Sequence, residues 1–168
     1  IAVSNALADH LRSYASLPNL NVIYNGVVAK SQTSHIRHRC DSRPIDVDAP
    51  LFIIVGGIQP EKGQDEAVRA LAQLRESVPN ARLAIVGDGD HGWIQRVITD
   101  EQLEDATECW GYIDDPWEAY AEADAILVCS KAEGMGRVTV EAMIAGTPVI
   151  GRDCGGTAEL IEHGRTGR

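Results

Sequence analysis

The sequence predicts an α/β domain: a Rossmann-like, doubly wound parallel sheet with helices on both faces. Short apolar runs alternate with amphipathic stretches of helical spacing from residue 51 to the end of the chain, and glycine-rich turns separate them. Such alternation produces a parallel sheet with right-handed crossovers. A length of 168 residues and a hydrophobic content of 44% allow one domain with its own core. We therefore predict a single domain over residues 1–168.

The first fifty residues carry weaker signals. A strand end is predicted at residues 1–3 and a short strand at residues 21–24, and Ser4 suits the N-cap of a helix between them. Residues 27–50 show little periodicity, so an extended loop is predicted there.

Two motifs in that loop resemble metal-binding patterns. His35, His38 and Cys40 form H-x2-H-x-C without a fourth ligand, and Asp46 and Asp48 form D-x-D. Both motifs precede the first clear strand. A solvated loop and a charged linker are therefore the preferred interpretations, and no metal site is predicted.

From residue 51 onwards, strands and helices are well marked. Continuous apolar runs are typical of strands buried on both faces, and apolar residues at helical spacing follow each run. Pro116 marks a helix start and Gly146 a helix end. Trp117 and Tyr120 are predicted as the packing face of the helix after Pro116, not as a sugar platform. The predicted order is strand 51–55, a helix ending near 78, strand 82–86, a helix carrying Trp93, strand 107–110, helix 116–123, strand 125–130, a helix up to Gly146, strand 147–151 and a last helix.

The loop after the first of these strands carries a lysine in an unfavourable place. Lys62 lies at the start of a helix, where a cation opposes the helix dipole. A phosphate bound at the carboxyl end of the strand would account for it. The alternative is a solvated lysine paired with Glu61.

The strongest functional signal is the glycine loop at residues 133–136. A helix that follows such a loop presents free backbone N–H groups and the positive end of its dipole, which together bind anions. Glu133 and Glu141 flank this position, at most roughly 12 Å apart along the helix axis. Ionised carboxylates accept hydrogen bonds from hydroxyls and repel phosphate. The pattern therefore predicts binding of a nucleotide sugar, with its diphosphate at the helix start and its hydroxyls on the acids.

Three motifs carry a family resemblance: the E-x7-E pair Glu133/Glu141, the run E-A-M-x-A-G-x-P-V-I up to Ile150, and G-G-x-x-E from Gly155 to Glu159. They resemble the family-4 retaining glycosyltransferases of the GT-B fold. The resemblance implies the C-terminal, donor-binding domain of a hexosyltransferase that retains anomeric configuration and needs no essential metal or other cofactor. It implies a missing N-terminal acceptor domain as partner and no activity of residues 1–168 alone. Truncation at both ends is expected from the first residue, Ile1, and from the turn-like H-G-R-T-G-R that ends at Arg168.

The resemblance also implies roles for single residues. Lys62 and Glu133 are the candidate catalytic residues: Lys62 stabilises the departing diphosphate, and Glu133 accepts hydroxyls of the transferred sugar. Glu141 accepts the ribose hydroxyls. The family has an arginine where this chain has Gly57, which removes a bidentate phosphate ligand, and Arg137 is the candidate substitute. The predicted donor-binding residues are Gly57, Lys62, Gly111, Tyr112, Glu133, Gly134, Met135, Gly136, Arg137, Val138, Glu141 and Glu159.

Some of these assignments have structural alternatives. Gly111 and Tyr112 either offer backbone groups to the nucleotide base, as in the family, or simply end a strand. Glu159 is either a sugar-hydroxyl acceptor or a carboxylate in the first turn of the last helix, favoured by its dipole. The pair Gly155–Gly156 allows the backbone to approach a sugar or phosphate closely.

Other functions stay open. The missing arginine allows a degenerate, non-catalytic module that binds a nucleotide or a partner protein, and the GT-B fold also allows epimerisation of a nucleotide sugar. Asp88 and Asp90 form a D-x-D directly after a strand, which is the signature of metal-dependent GT-A glycosyltransferases. A loop that caps the following helix is the preferred interpretation of this second motif.

Charge and cysteine content exclude some classes. The net charge of −10 argues against nucleic acid as a partner and against general attraction to anionic membranes. No apolar run has the length of a transmembrane helix, and no signal peptide is visible. Four widely spaced cysteines without C-x-x-C predict reduced thiols. We therefore predict a cytoplasmic location, or a peripheral one at a membrane through the N-terminal domain.

Overall fold

A computed structural model of the chain describes residues 1–28 and 49–168. The described residues contain a five-stranded sheet and six α-helices. The strands are β1 (Leu51–Val55), β2 (Arg82–Val86), β3 (Thr107–Gly111), β4 (Ala125–Val128) and β5 (Val149–Gly151). The helices are α1 (Asn5–Tyr14), α2 (Gln64–Arg75), α3 (His91–Asp100), α4 (Trp117–Glu122), α5 (Arg137–Ile144) and α6 (Gly155–Leu160). One turn of 3-10 helix, Pro60–Lys62, precedes α2.

The sheet is parallel throughout, with strand order β3-β2-β1-β4-β5. The central strand β1 pairs on both sides, so that Ile53 is opposite Ala84 of β2 and Ile126 of β4. Strand order therefore reverses between β1 and β4. In open α/β sheets, ligands bind outside the carboxyl ends of the strands at such a reversal.

Each face of the sheet has its own core, which confirms the predicted doubly wound architecture. Successive residues of a strand point to opposite faces. Ile54 accordingly packs with α2 and α3, whereas Ile53 packs with α4 and α5. The first core includes Val68, Leu71, Leu83, Ile85, Ile94 and Ile98; the second includes Val86, Tyr120, Ile126, Val128 and Val149.

The amino-terminal segment differs from the prediction. The strand predicted at residues 21–24 is wrong, because a single parallel bridge joins Val22 to Ala2, within the strand end predicted at residues 1–3. The chain turns into α1 directly afterwards, where Ser4 caps the helix as predicted by accepting a hydrogen bond of 3.1 Å from the Leu7 N–H.

The D-x-D after β2 caps a helix, as preferred from the sequence. The Asp90 side chain accepts a 2.8 Å hydrogen bond from the Trp93 N–H at the start of α3, and Asp88 contacts the His91 ring. The motifs of His35, His38 and Cys40 and of Asp46 and Asp48 lie outside the described residues. Within residues 1–28 and 49–168 no group of three or more potential metal ligands occurs.

Two further findings concern the same ranges. The three cysteines that the structure describes, Cys109, Cys129 and Cys154, are free thiols. No helix in this part of the chain is both long enough and apolar enough to cross a membrane.

Candidate functional site

A cleft of about 230 Å³ opens where β1 and β4 end, at the reversal of strand order. Its polar lining comes from the loop after β1, the loop after β4 and the start of α5. The lining residues include Gly56, Gly57, Lys62, Ser130, Glu133, Gly136, Arg137 and Val138. A larger hollow of about 620 Å³ lies along β5 and residues 164–168, and none of the predicted site residues borders it.

The loop after β1 places Lys62 on the cleft. Gly63 follows with a φ of 72°, and a Cβ there would lie 2.4 Å from the Cys129 carbonyl oxygen. Only glycine therefore lets this loop pack against the end of β4. Gln64, which is fully buried, donates a 2.9 Å hydrogen bond to the Gly57 carbonyl and supports the loop from below.

Lys62 and Glu133 form an ion pair across the cleft. The Lys62 Nζ lies 2.9 Å from Oε2 of Glu133, and both side chains are partly buried. The alternative partner considered for Lys62, Glu61, is therefore wrong. The pair joins the loop after β1 to the loop after β4 and brings the two candidate catalytic side chains together.

The helix α5 begins at the edge of the cleft behind Gly136. This glycine has a φ of 80°, and a Cβ there would lie 3.1 Å from the Thr157 hydroxyl and 3.2 Å from the Thr139 hydroxyl. Arg137 and Val138, the first two residues of α5, line the cleft. The start of the helix, with its backbone N–H groups and positive dipole end, thus faces the same space as Lys62.

Two residues of the glycine loop face away from the cleft. Met135 is buried, and its Sδ accepts a hydrogen bond of 3.0 Å from the Asn25 N–H. A Cβ at Gly134 would contact the Val3 side chain at 3.5 Å. Gly134 and Met135 therefore pack on the amino-terminal segment, although both were predicted to bind the donor.

Glu141 lies behind the cleft wall with both carboxylate oxygens engaged. Tyr120 donates a 2.7 Å hydrogen bond to Oε2, and Arg137 approaches Oε1 at 2.9 Å, which leaves the Glu141 side chain 12% exposed. Tyr120 is fully buried. Burial and the neighbouring carboxylate raise the pKa of the Tyr120 hydroxyl, so that it stays a donor.

Tyr120 is the functional neighbour that sequence reasoning missed. Its place on the packing face of α4 was predicted, but its link to Glu141 was not. The available signal was the residue type, because a tyrosine hydroxyl that enters a core needs a hydrogen-bond partner.

Glu159 does not line the cleft and lies at the amino-terminal end of α1. It belongs to the last turn of α6, so the first-turn alternative is wrong. Its carboxylate accepts hydrogen bonds from the N–H groups of Asn5 at 3.1 Å and Ala6 at 2.5 Å, and from the Tyr24 hydroxyl. Partial burial opposes ionisation, but these hydrogen bonds outweigh it and lower the pKa of Glu159. Glu159 thus caps α1.

The pair Gly155–Gly156 packs closely against the backbone of residues 133–135, whereas the sequence suggested a close approach to a sugar or phosphate. The Gly156 N–H donates a 2.8 Å hydrogen bond to the Glu133 carbonyl, and a Cβ on Gly156 would lie 2.4 Å from the Gly134 carbonyl oxygen. The start of α6 therefore supports the loop that carries Glu133.

Gly111 and Tyr112 are at the strand end that the sequence indicated. Gly111 is the last residue of β3, its carbonyl accepts a 2.8 Å hydrogen bond from the Gly87 N–H, and Tyr112 is exposed. Neither residue borders the cleft. The structure therefore gathers Gly57, Lys62, Glu133, Gly136, Arg137 and Val138 on one cleft, and it places Gly111, Tyr112, Gly134, Met135, Glu141 and Glu159 around or away from it.

Comparison with known proteins gives a family. The family model described as glycosyl transferases group 1 matches residues 39–168. An uncharacterized glycosyltransferase of Methanocaldococcus jannaschii is 30% identical over 174 residues, which cover 97% of this chain and 44% of that protein. Glycogen synthase of Mycobacterium tuberculosis is 34% identical over 155 residues, or 90% of this chain and 36% of that protein.

A solved structure agrees with these relatives. The Anabaena protein HepE, crystallised with UDP and glucose, superposes with a TM-score of 0.86 at 30% identity, over 99% of this chain and 47% of that one. The chain thus spans less than half the length of each of these three proteins.

Proposed function

The chain belongs to the glycosyl transferases group 1 family, and from this premise we propose that it is the donor-binding domain of a family-4 retaining hexosyltransferase. The observation that carries the proposal is the cleft at the reversal of strand order, where Lys62, Glu133 and the start of α5 meet. A cation, a carboxylate and a helix start suit a sugar joined to a diphosphate.

Within this proposal each part of the cleft has a role. The diphosphate lies at the backbone N–H groups that begin α5 and near Lys62, and Glu133 accepts hydroxyls of the transferred sugar. Glu141 accepts the ribose hydroxyls, and Gly111 and Tyr112 offer backbone groups to the base. The donor contacts predicted for Gly57, Gly134, Met135, Gly136, Val138 and Glu159 stay predictions. The Glu159 carboxylate, however, accepts hydrogen bonds from the first N–H groups of α1 in the structure.

Transfer breaks the bond between the anomeric carbon and the phosphate oxygen and joins that carbon to an acceptor hydroxyl oxygen, whose proton passes to the departing diphosphate. The nucleoside diphosphate leaves with additional negative charge, which Lys62 and the α5 start stabilise. Since these groups supply the positive charge, we propose that no essential metal or cofactor takes part. The acceptor binds mainly to a part of the enzyme outside residues 1–168, so the chain alone should bind a donor without transferring sugar.

UDP is the first nucleotide to test, because HepE was crystallised with UDP and glucose and also with UDP-glucose. We expect calorimetry of the 168-residue chain to show binding of at least one of UDP, GDP and ADP. Lys62→Met should weaken that binding about tenfold or more. Lys131→Met removes a lysine outside the cleft, about 4.0 Å from Glu66, and should leave affinity unchanged. If none of the three nucleotides binds, or both variants behave alike, the proposal fails.

A non-catalytic binding module is the second candidate, favoured by Gly57. The family arginine is missing from the cleft there, so the diphosphate has one cation fewer. Activity assays on a longer protein, in which this chain is joined to an N-terminal acceptor domain, distinguish the transferase from the non-catalytic module. Release of UDP and a glycosylated product from UDP-glucose with an acceptor supports transfer, whereas binding without release supports the module. An epimerised sugar nucleotide would identify the third, epimerase reaction.

A further inference from the structure

Each acid of the E-x7-E pair is covered by a cation that lines the cleft. Lys62 contacts Glu133 at 2.9 Å, and Arg137 contacts Glu141 at the same distance. Both cations border the space proposed for the diphosphate. The carboxylates proposed to bind sugar hydroxyls are therefore engaged by the side chains that a diphosphate would attract.

The two hydrogen-bonding partners of Glu141 differ in burial, and therefore in how easily each can move away. Tyr120 holds Oε2 from a fully buried position in the core beneath α5. Arg137 holds Oε1 from the other side with a side chain that is 72% exposed. Only Arg137 can leave without opening the core, so Oε1 is the oxygen that can become available to a ligand.

The position of Arg137 makes its contact with Glu141 easy to exchange. Arg137 is the first residue of α5, where a cation opposes the helix dipole. It precedes Glu141 by four residues, the less favourable order for an ion pair on a helix. The guanidinium end of the pair is exposed although the Glu141 end is nearly buried, and a guanidinium binds phosphate oxygens in a bidentate manner.

We propose that Arg137 changes partner when a ligand binds, leaving Glu141 for the diphosphate and thereby uncovering Oε1 for the ribose hydroxyls. Arg137 is then a specificity-determining residue. A nucleoside without phosphates must displace the guanidinium from Glu141 with nothing to receive it, whereas a nucleoside diphosphate supplies the new partner. The cleft consequently selects nucleoside diphosphates over nucleosides more strongly than the phosphate contacts alone would. This inference rests on the proposed donor site.

The test compares UDP with uridine on the 168-residue chain and on Arg137→Met. Calorimetry gives the Kd of UDP, and a titration followed by ligand-observed NMR gives the Kd of uridine. GDP with guanosine and ADP with adenosine are run in parallel. The matched control is Arg165→Met, which removes a similarly exposed arginine (74%) that pairs with Glu162 at 2.6 Å, away from the cleft.

We expect Arg137→Met to raise the Kd of UDP about tenfold and to lower the Kd of uridine, so that the Kd of uridine divided by the Kd of UDP falls more than about tenfold. An unchanged Kd of uridine would show that Arg137 binds phosphate without covering Glu141, and it would overturn the inference. Arg165→Met should leave the ratio as in the unaltered chain. If Arg137 only orients Glu141, both ligands weaken together, the ratio stays constant and the inference is overturned. Unchanged UDP affinity in Arg137→Met overturns it as well. If the unaltered chain binds no nucleoside diphosphate, the proposed function itself fails, and the inference fails with it.

Discussion

The hydroxyl of Tyr120 donates a 2.7 Å hydrogen bond to Oε2 of Glu141 inside the core between α4, α5 and the sheet. The second acid of the E-x7-E motif is thus anchored from beneath, by a residue 21 positions earlier in the chain. A carboxylate in this position needs donors, because a buried ionised group without partners is strongly unfavourable. The contact therefore links the stability of the domain to the orientation of a proposed ligand group.

Replacing Tyr120 with phenylalanine should destabilise the fold. The change removes one buried donor and leaves Oε2 of Glu141 without it, so we expect the free energy of unfolding to fall by about 1–3 kcal/mol. Urea denaturation followed by circular dichroism measures this. Tyr14→Phe, at a tyrosine that is 77% exposed, should change it by less than about 0.5 kcal/mol. Equal effects of the two variants would show that the Tyr120–Glu141 bond contributes nothing.

The sheet and its helices could be predicted from the sequence because their signals are local. The apolar run of β1 and the helical spacing in α2 each indicate their element without knowledge of the rest of the chain. The amino-terminal segment was predicted less well. Its single bridge between Ala2 and Val22 depends on a tertiary contact, and no periodicity marks such a contact.

In the candidate site, too, some contacts could be predicted from the sequence and others depend on tertiary packing. Lys62 and Glu133 each follow a parallel strand, and the carboxyl ends of parallel strands share one edge of the sheet, so their meeting could be expected. The contact of Glu159 with Asn5 joins residues 154 positions apart through packing of α1 on α6. Nothing in the G-x-x-E spacing reveals that contact. The motif therefore left Glu159 as a ligand group or a first-turn carboxylate, whereas the structure uses it to cap another helix, and its donor contact stays a prediction.

Gly156→Ala should disturb the loop that carries Glu133. The new Cβ would lie 2.4 Å from the Gly134 carbonyl oxygen and 2.6 Å from the Met135 Cα, both backbone atoms that have to shift. We expect a loss of about 1–3 kcal/mol in unfolding free energy, together with weaker UDP binding. Gly134→Ala is the matched control, since its Cβ meets only the Val3 side chain at 3.5 Å. Thermal denaturation and calorimetry test both variants, and equal stability of the two would contradict the packing argument.

Gly57→Arg should restore a second strong cation to the cleft. A Cβ at this position meets nothing closer than the Asp88 carbonyl oxygen at 3.8 Å, so a side chain fits on the backbone. A guanidinium at the cleft can bind phosphate oxygens in a bidentate manner, and we expect the Kd of UDP at low salt to fall about tenfold. Gly57→Gln adds a side chain without charge and should not tighten binding. Equal affinity of the two variants in calorimetry would exclude Gly57 from the phosphate site.

The cap that Glu159 provides to α1 should depend on pH. Its hydrogen bonds lower the pKa of Glu159 below the ordinary value of 4.5, so the folded state binds this proton less readily than the unfolded state. The resulting stabilisation is present above pH 4.5 and is lost as the pH falls through the lowered pKa. At pH 7 we expect Glu159→Gln to lower Tm by about 2–4 °C, the effect of losing a helix cap. The difference in Tm between the unaltered chain and Glu159→Gln should shrink as the pH falls from 4.5 towards 3. Glu162→Gln, which removes an exposed ion pair with Arg165, should change Tm little at either pH. A gap between the unaltered chain and Glu159→Gln that stays constant from pH 7 to pH 3, measured by thermal denaturation, would show that the ionised carboxylate does not stabilise α1.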